Sequence, residues 1–139
     1  MAISAFSAQG PLPNFRQRRW ILPNGLVVVA VHQPHLSRIN LCVGLRGGPV
    51  YEDDDTWGLS HLWEHMLFRG TARHPSGKAL NLAVEQFGGD LNACTCRDHI
   101  YLDTRCDTEA VESAFALIAE ILEKPMFGAL AIEKEIVRE

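Results

Sequence analysis

The sequence predicts an α+β domain, an antiparallel-rich sheet with helices packed on one face. Three observations carry that prediction. Short runs of strand length, such as Leu26–Val31, are rich in β-branched residues. Longer runs repeat apolar residues every three to four positions, as amphipathic helices do. The two kinds come in pairs, strands then helices, which suits hairpins covered by helices rather than a parallel doubly wound sheet. With 139 residues and 47% apolar content, the chain can bury one sizeable core.

The elements follow in order. Residues 1–15 read as a loose arm, and residues 16–139 as one domain. Trp20-Ile21-Leu22 leads into Pro23-Asn24-Gly25, a strong turn signal, and Leu26–Val31 reads as a buried strand. Pro34 interrupts it. Arg38–Leu45 alternates as a second strand, and Gly47-Gly48-Pro49 closes that element. Trp57–Phe68 has helical periodicity and is ended by Gly70. Ser76 caps a second helix that runs through Leu80, Ala83 and Phe87 to Gly88-Gly89. Leu91–Cys96 and Ile100–Cys106 are strands around Arg97-Asp98-His99. Asp107 caps a long helix with Val111, Phe115, Ile118 and Leu122 on one face, stopped by Pro125. A last helix begins near Ala129 and is still running at Glu139.

Composition excludes several classes of function. The net charge is −4, and no acidic residue precedes Glu52, while Arg16, Arg18, Arg19, Arg38 and Arg46 are scattered through that stretch. Five dispersed arginines make no nucleic-acid footprint. The block Glu52-Asp53-Asp54-Asp55 reads as a solvated face. No apolar run approaches the length of a membrane span. Cys42, Cys94, Cys96 and Cys106 form no C-x-x-C pair and read as free, partly buried thiols. The first fifteen residues lack a basic head followed by a sustained apolar stretch, so no secretory signal is expected. On these grounds a soluble protein is the expectation, with the compartment left open between the cytoplasm, which is favoured, and a mitochondrial destination that the arginine-bearing, acid-free start faintly suggests.

The chemistry sits in His61-Leu62-Trp63-Glu64-His65. A helix turns about 100° per residue, so His61 and His65 lie about 40° apart and Glu64 about 60° to the other side of His61. Leu59, Leu62, Trp63, Met66 and Leu67 form a stripe nearly opposite. The helix is therefore pinned by one face and presents His-Glu-His from the other. Two imidazoles and a further ligand suit Zn²⁺, and a neighbouring carboxylate that is not a ligand suits a general base. The alternative is an amphipathic helix whose polar face holds these residues by accident, which this composition would yield in roughly two chains per hundred.

His-x-x-Glu-His in this order is the inverzincin pattern. The surrounding Gly58-Leu-Ser-His-Leu-Trp-Glu-His-Met-Leu-Phe-Arg-Gly-Thr71 resembles the pitrilysin or insulinase family of zinc metallopeptidases. So do Leu22-Pro-Asn-Gly-Leu26, Gly88-Gly-Asp-Leu-Asn-Ala-Cys-Thr95 and Ala131-Ile-Glu-Lys-Glu-Ile-Val-Arg-Glu139. The resemblance covers roughly residues 17–139, the first part of the family's metal-binding domain. It implies His61 and His65 as zinc ligands and Glu64 as general base. It also implies an edge strand at Asn92, Ala93 and Cys94 onto which an extended peptide substrate is added. In the family the late helix reads Glu-x-x-apolar-apolar-x-x-Glu, and its last Glu binds zinc. Here Glu133 opens that pattern and the third ligand is expected immediately after Glu139, so the domain reads as incomplete at its C-terminal end. Glu133 lies two turns earlier on the ligand's face, where it either supports the site from behind the ligands or makes a solvated salt bridge.

The resemblance further implies a second homologous domain or subunit, with neither nucleic acid nor membrane as partner. The function expected is a zinc-dependent metalloendopeptidase, the isolated 139 residues being weak or inactive. The alternative is a non-catalytic homologue or partner subunit of such an enzyme. His32, His35, His74 and His99 read as ordinary loop and turn histidines.

Overall fold

The computed structural model describes residues 16–128 and 130–136, leaving the expected arm and Glu139 outside the described residues. It divides into two compact units at Ser37.

The first unit is a hairpin. Strand β1 (Arg16–Ile21) pairs antiparallel with β2 (Val27–His32), Arg16 facing His32 and Ile21 facing Val27. The turn between them matches the expectation. Leu22 N–H donates to Leu26 O at 2.9 Å, Asn24 Oδ1 accepts from Leu26 N–H at 3.1 Å, and Gly25 takes φ 85°. Two expectations change. The polar run Arg16-Gln17-Arg18-Arg19 is part of a strand, because backbone pairing with β2 holds it without any apolar alternation. Val27, Val29 and Val31, expected to be buried, are exposed. A two-stranded ribbon has no interior of its own in which to hide them.

The second unit is a three-stranded antiparallel sheet in the order β3 (Arg38–Arg46), β5 (His99–Asp107), β4 (Leu91–Thr95). Its register sets three residues side by side at each level of the inner face. Leu41, Thr104 and Leu91 form one row, Val43, Leu102 and Ala93 the next, and Leu45, Ile100 and Thr95 the last. Helices α1 (Leu59–Leu67), α2 (Gly77–Glu85) and α3 (Val111–Glu123) send Leu67, Leu80, Val84, Ala114, Leu117, Ile118 and Ile121 into one cluster with Leu41, Leu102 and Cys106. Helix α4 (Leu130–Ile136) follows. The opposite sheet face, with Cys42 and Arg105, is exposed. This is the α+β arrangement expected, preceded by one more strand than the sequence indicated.

Helix boundaries show which local signals held. Ser76 Oγ accepts from Ala79 N–H at 3.2 Å, capping α2 as expected. Asp107 does not cap α3: a 3₁₀ turn, Thr108–Ala110, intervenes, and the Asp107 carboxylate lies 3.5 Å from Arg38 Nε. The buried face of α3 is also turned from the expected one, since Phe115 is exposed and Ala114 and Leu117 are buried. Apolar residues ring this helix, so periodicity alone admitted more than one stripe. All four cysteines are free. Among the described residues no helix is long and apolar enough to cross a membrane.

Candidate metal centre

Helix α1 is fastened at its N-terminus before it presents any chemistry. The first turn of a helix leaves backbone N–H groups unpaired and carries partial positive charge. Glu52 meets both needs: Oε2 accepts from Gly58 N–H at 2.8 Å and Oε1 from Ser60 N–H at 2.7 Å. Burial works against the charged form of Glu52, but hydrogen bonds from Ser60 and Gly58 outweigh it and hold the carboxyl below its usual value. Ser60 Oγ accepts in turn from Gly48 N–H at 2.9 Å. Gly48 has φ 108°, and a Cβ there would lie 2.3 Å from Cys96 O, so only glycine lets this loop close on the β4–β5 turn.

Held this way, α1 buries Leu62, Met66 and Leu67, with Trp63 packed against the core, while His61 is exposed and Glu64 and His65 are half-buried. Leu59, counted in the apolar stripe, is exposed. It stands on the first turn, beyond the end of the core cluster.

The two imidazoles converge. Their Nε2 atoms are 3.2 Å apart, the ring centroids 4.6 Å apart and the planes at 89°. His65 Nδ1 lies 3.1 Å from Glu133 Oε2. A carboxylate only accepts, so Nδ1 is the nitrogen that donates to Glu133, and Nε2 is the atom turned toward His61. Nitrogens bound to one tetrahedral Zn²⁺ at about 2.0–2.1 Å sit about 3.3 Å apart, so the pair fits without rearrangement.

Glu133 is fully buried on α4, and Arg69 Nη2 lies 2.5 Å from its Oε1, in ion-pair contact though not aligned as a hydrogen bond. The charge that Glu133 carries into the interior thus meets a guanidinium on one side and an imidazole on the other. Glu64, the remaining member of the motif, accepts through Oε2 a hydrogen bond from Thr95 Oγ1 at the end of β4. A cavity of about 470 Å³ opens beside Glu64, His65 and Arg69 and is lined also by Lys78 and Asn81.

The expected site residues are therefore distributed as follows. His61, Glu64, His65 and Glu133 come together. Asn92, Ala93 and Cys94 lie on β4, which pairs only with β5 and so has an open edge among the described residues. Asn92 is exposed and donates to Asp90 at 3.4 Å. Among the described residues no third His, Cys, Asp or Glu joins the two imidazoles as a ligand set. The position expected to supply it follows Glu139.

Sequence reasoning missed Arg69, Thr95 and Glu52. Arg69 stands beyond the end of α1, past its Phe68 cap, where helical spacing no longer applies. Thr95 shares its strand face with Ala93, but its partner is 31 residues away. Of the remaining histidines, His74 faces Thr71 and Glu120 and His99 faces Asp98, while His32 and His35 belong to the first unit.

An antiparallel sheet whose first covering helix presents an inverted His-x-x-Glu-His set, backed by a buried glutamate from a later helix, defines a recognisable class of domain. Residues 27–139 match the insulinase family, peptidase family M16. The mitochondrial-processing peptidase subunit beta of Dictyostelium discoideum is 34% identical over 114 residues, 82% of this chain and 24% of that protein. An uncharacterized zinc protease of Rickettsia felis is 29% identical over 114 residues, 82% of this chain and 27% of that protein. The crystal structure of pitrilysin shares the fold, with a TM-score of 0.75 and 24% identity over 88% of this chain and 13% of that one. The chain belongs to the insulinase family (peptidase family M16). It spans about a quarter of the length of the curated relatives just named.

Proposed function

We propose that this chain is the metal-binding part of a zinc-dependent endopeptidase that cuts extended peptides. The observation that carries the reading is the pair of imidazole Nε2 atoms 3.2 Å apart, one ring oriented by a buried carboxylate, with Glu64 beside them. Family membership supports hydrolysis of peptide bonds, and the Rickettsia felis relative bears the name of a zinc protease.

In this reading His61 and His65 hold the ion through Nε2, and Glu133 fixes the ring of His65 from behind. Zn²⁺ bound there would lower the pKa of water toward about 7 and polarise the scissile carbonyl. Glu64 takes the proton of the attacking water and later delivers it to the leaving amine. The open edge of β4 receives the peptide by backbone pairing, which tolerates many sequences. The cavity beside Glu64 and His65 gives a substrate side chain somewhere to sit. A second homologous domain or subunit completes the cleft, in keeping with a relative that is itself named as one subunit of a peptidase.

A non-catalytic partner subunit would have no use for Glu64 held in place beside two converging imidazoles, so the catalytic reading is preferred. The test is Glu64→Gln in the complete enzyme. Hydrolysis should be abolished while zinc remains bound at the level of the parent. Normal turnover by that variant would remove Glu64 from the chemistry and the proposal with it.

A further inference from the structure

The geometry points to Thr95 as a positioning residue that aims the Glu64 carboxylate and ties it to the edge strand. The inference rests on the reading of Glu64 as general base and adds a residue that this reading did not include.

A glutamate on a half-exposed helix face has three rotatable bonds, and freezing such a side chain costs conformational entropy. Nothing on α1 itself restrains Glu64. The restraint comes from the sheet: Thr95 Oγ1 donates to Glu64 Oε2, leaving Oε1 with no hydrogen-bond partner among the described residues. One oxygen is thereby anchored, and the other stays free to receive a proton.

The anchor is itself rigid. Threonine is β-branched and stiff at χ1, and Thr95 is the last residue of β4, paired with the buried Ile100 in the row completed by Leu45. The hydroxyl therefore moves with the sheet, whereas the carboxylate it holds belongs to the helix. Thr95 also ends the strand whose free edge would carry the peptide. A single hydroxyl thus fixes the base relative to the strand on which a scissile bond would be laid out. Misplacement by about 1 Å at such a point can cost about a hundredfold in rate.

The decisive comparison is Thr95→Val against Thr95→Ser in the complete enzyme. Valine keeps the volume and β-branching and removes only the hydroxyl function, whereas serine keeps the hydroxyl and loses the methyl. The expected result for Thr95→Val is a kcat about 10- to 100-fold lower, with KM and bound zinc within about twofold of the parent. Thr95→Ser should recover most of the lost rate. Were Thr95 there only for packing, the order would reverse, with valine active and serine impaired; that result overturns the inference. Should Thr95→Val fail to fold, Thr95→Ala against Thr95→Ser isolates the same hydroxyl, and equal rates for those two overturn it as well. A dead Glu64→Gln with a fully active Thr95→Val sinks the positioning role alone. An active Glu64→Gln sinks the assignment of the base beneath it.

Discussion

Glu133 presents its two oxygens to two different residues, and its burial makes that arrangement consequential. A carboxylate inside a protein must be paired or it is costly, and here Oε2 takes His65 Nδ1 while Oε1 faces Arg69. Orienting a ligand's remote nitrogen fixes its ring and raises its basicity toward the metal. Glu133→Gln keeps the shape and removes the charge. It should weaken zinc binding about 10- to 100-fold, as read by competition with a chelator of known affinity. Unchanged affinity would reduce Glu133 to a partner of Arg69 alone. At this scale the motif was legible because His61, Glu64 and His65 lie within one and a half turns, where helical arithmetic suffices. Glu133 was legible as a candidate support for the site only through the family resemblance, which supplied its register; the structure sets it against His65 Nδ1. Thr95 and Arg69 were not legible as parts of the site, since their partners come from elements 31 and 64 residues away.

Among the elements, α1 owes its position to a residue outside it. The block Glu52-Asp53-Asp54-Asp55 was read as a solvated face, and for Asp53, Asp54 and Asp55 exposure agrees. Glu52 departs from its neighbours by reaching the Gly58 and Ser60 N–H groups, six and eight residues ahead. No capping box predicts so long a reach, because the intervening loop and not the helix sets the distance. Ser76 on α2, by contrast, acts within three residues, and its cap was readable. Loss of a side-chain cap costs about 1 kcal/mol, so Glu52→Ala should destabilise the fold by about that much near pH 7. The folded-state pKa of Glu52 lies below its usual 4.5. Its contribution is therefore fully present above the unfolded value and fades as pH falls through the folded one. Denaturation of parent and variant at neutral and at acid pH checks this: the difference should shrink below about pH 4. A difference that stayed constant with pH would mean that the carboxylate charge contributes nothing.

For the whole molecule, the alternating strands implied side-chain parity and a one-sided helical layer, whereas the order β3-β5-β4, in which β3 pairs with β5 across the intervening α1, α2 and β4, was not implied. What the alternation could not supply was β1, whose arginines and glutamine pair by backbone alone, and the roll of α3, where apolar residues ring the helix. The same scale decides how the centre completes itself. A catalytic zinc keeps three protein ligands and one open position. The described residues bring two imidazoles together, and the third ligand is proposed, from the family resemblance, just after Glu139. Removing even a residue behind the ligands costs about 10- to 100-fold, so losing a direct ligand should cost at least about a hundredfold. A polypeptide of these 139 residues should accordingly bind zinc weakly and cleave an extended fluorogenic peptide at least about a hundredfold more slowly than one that continues past Glu139. Supplying a related second domain should raise the rate of the longer protein and leave that of the short one low. Turnover by the 139 residues equal to that of the longer chain would show that two histidines, Glu64 and the sheet suffice. The third ligand would then have to come from within the sequence, where the family pattern does not put it.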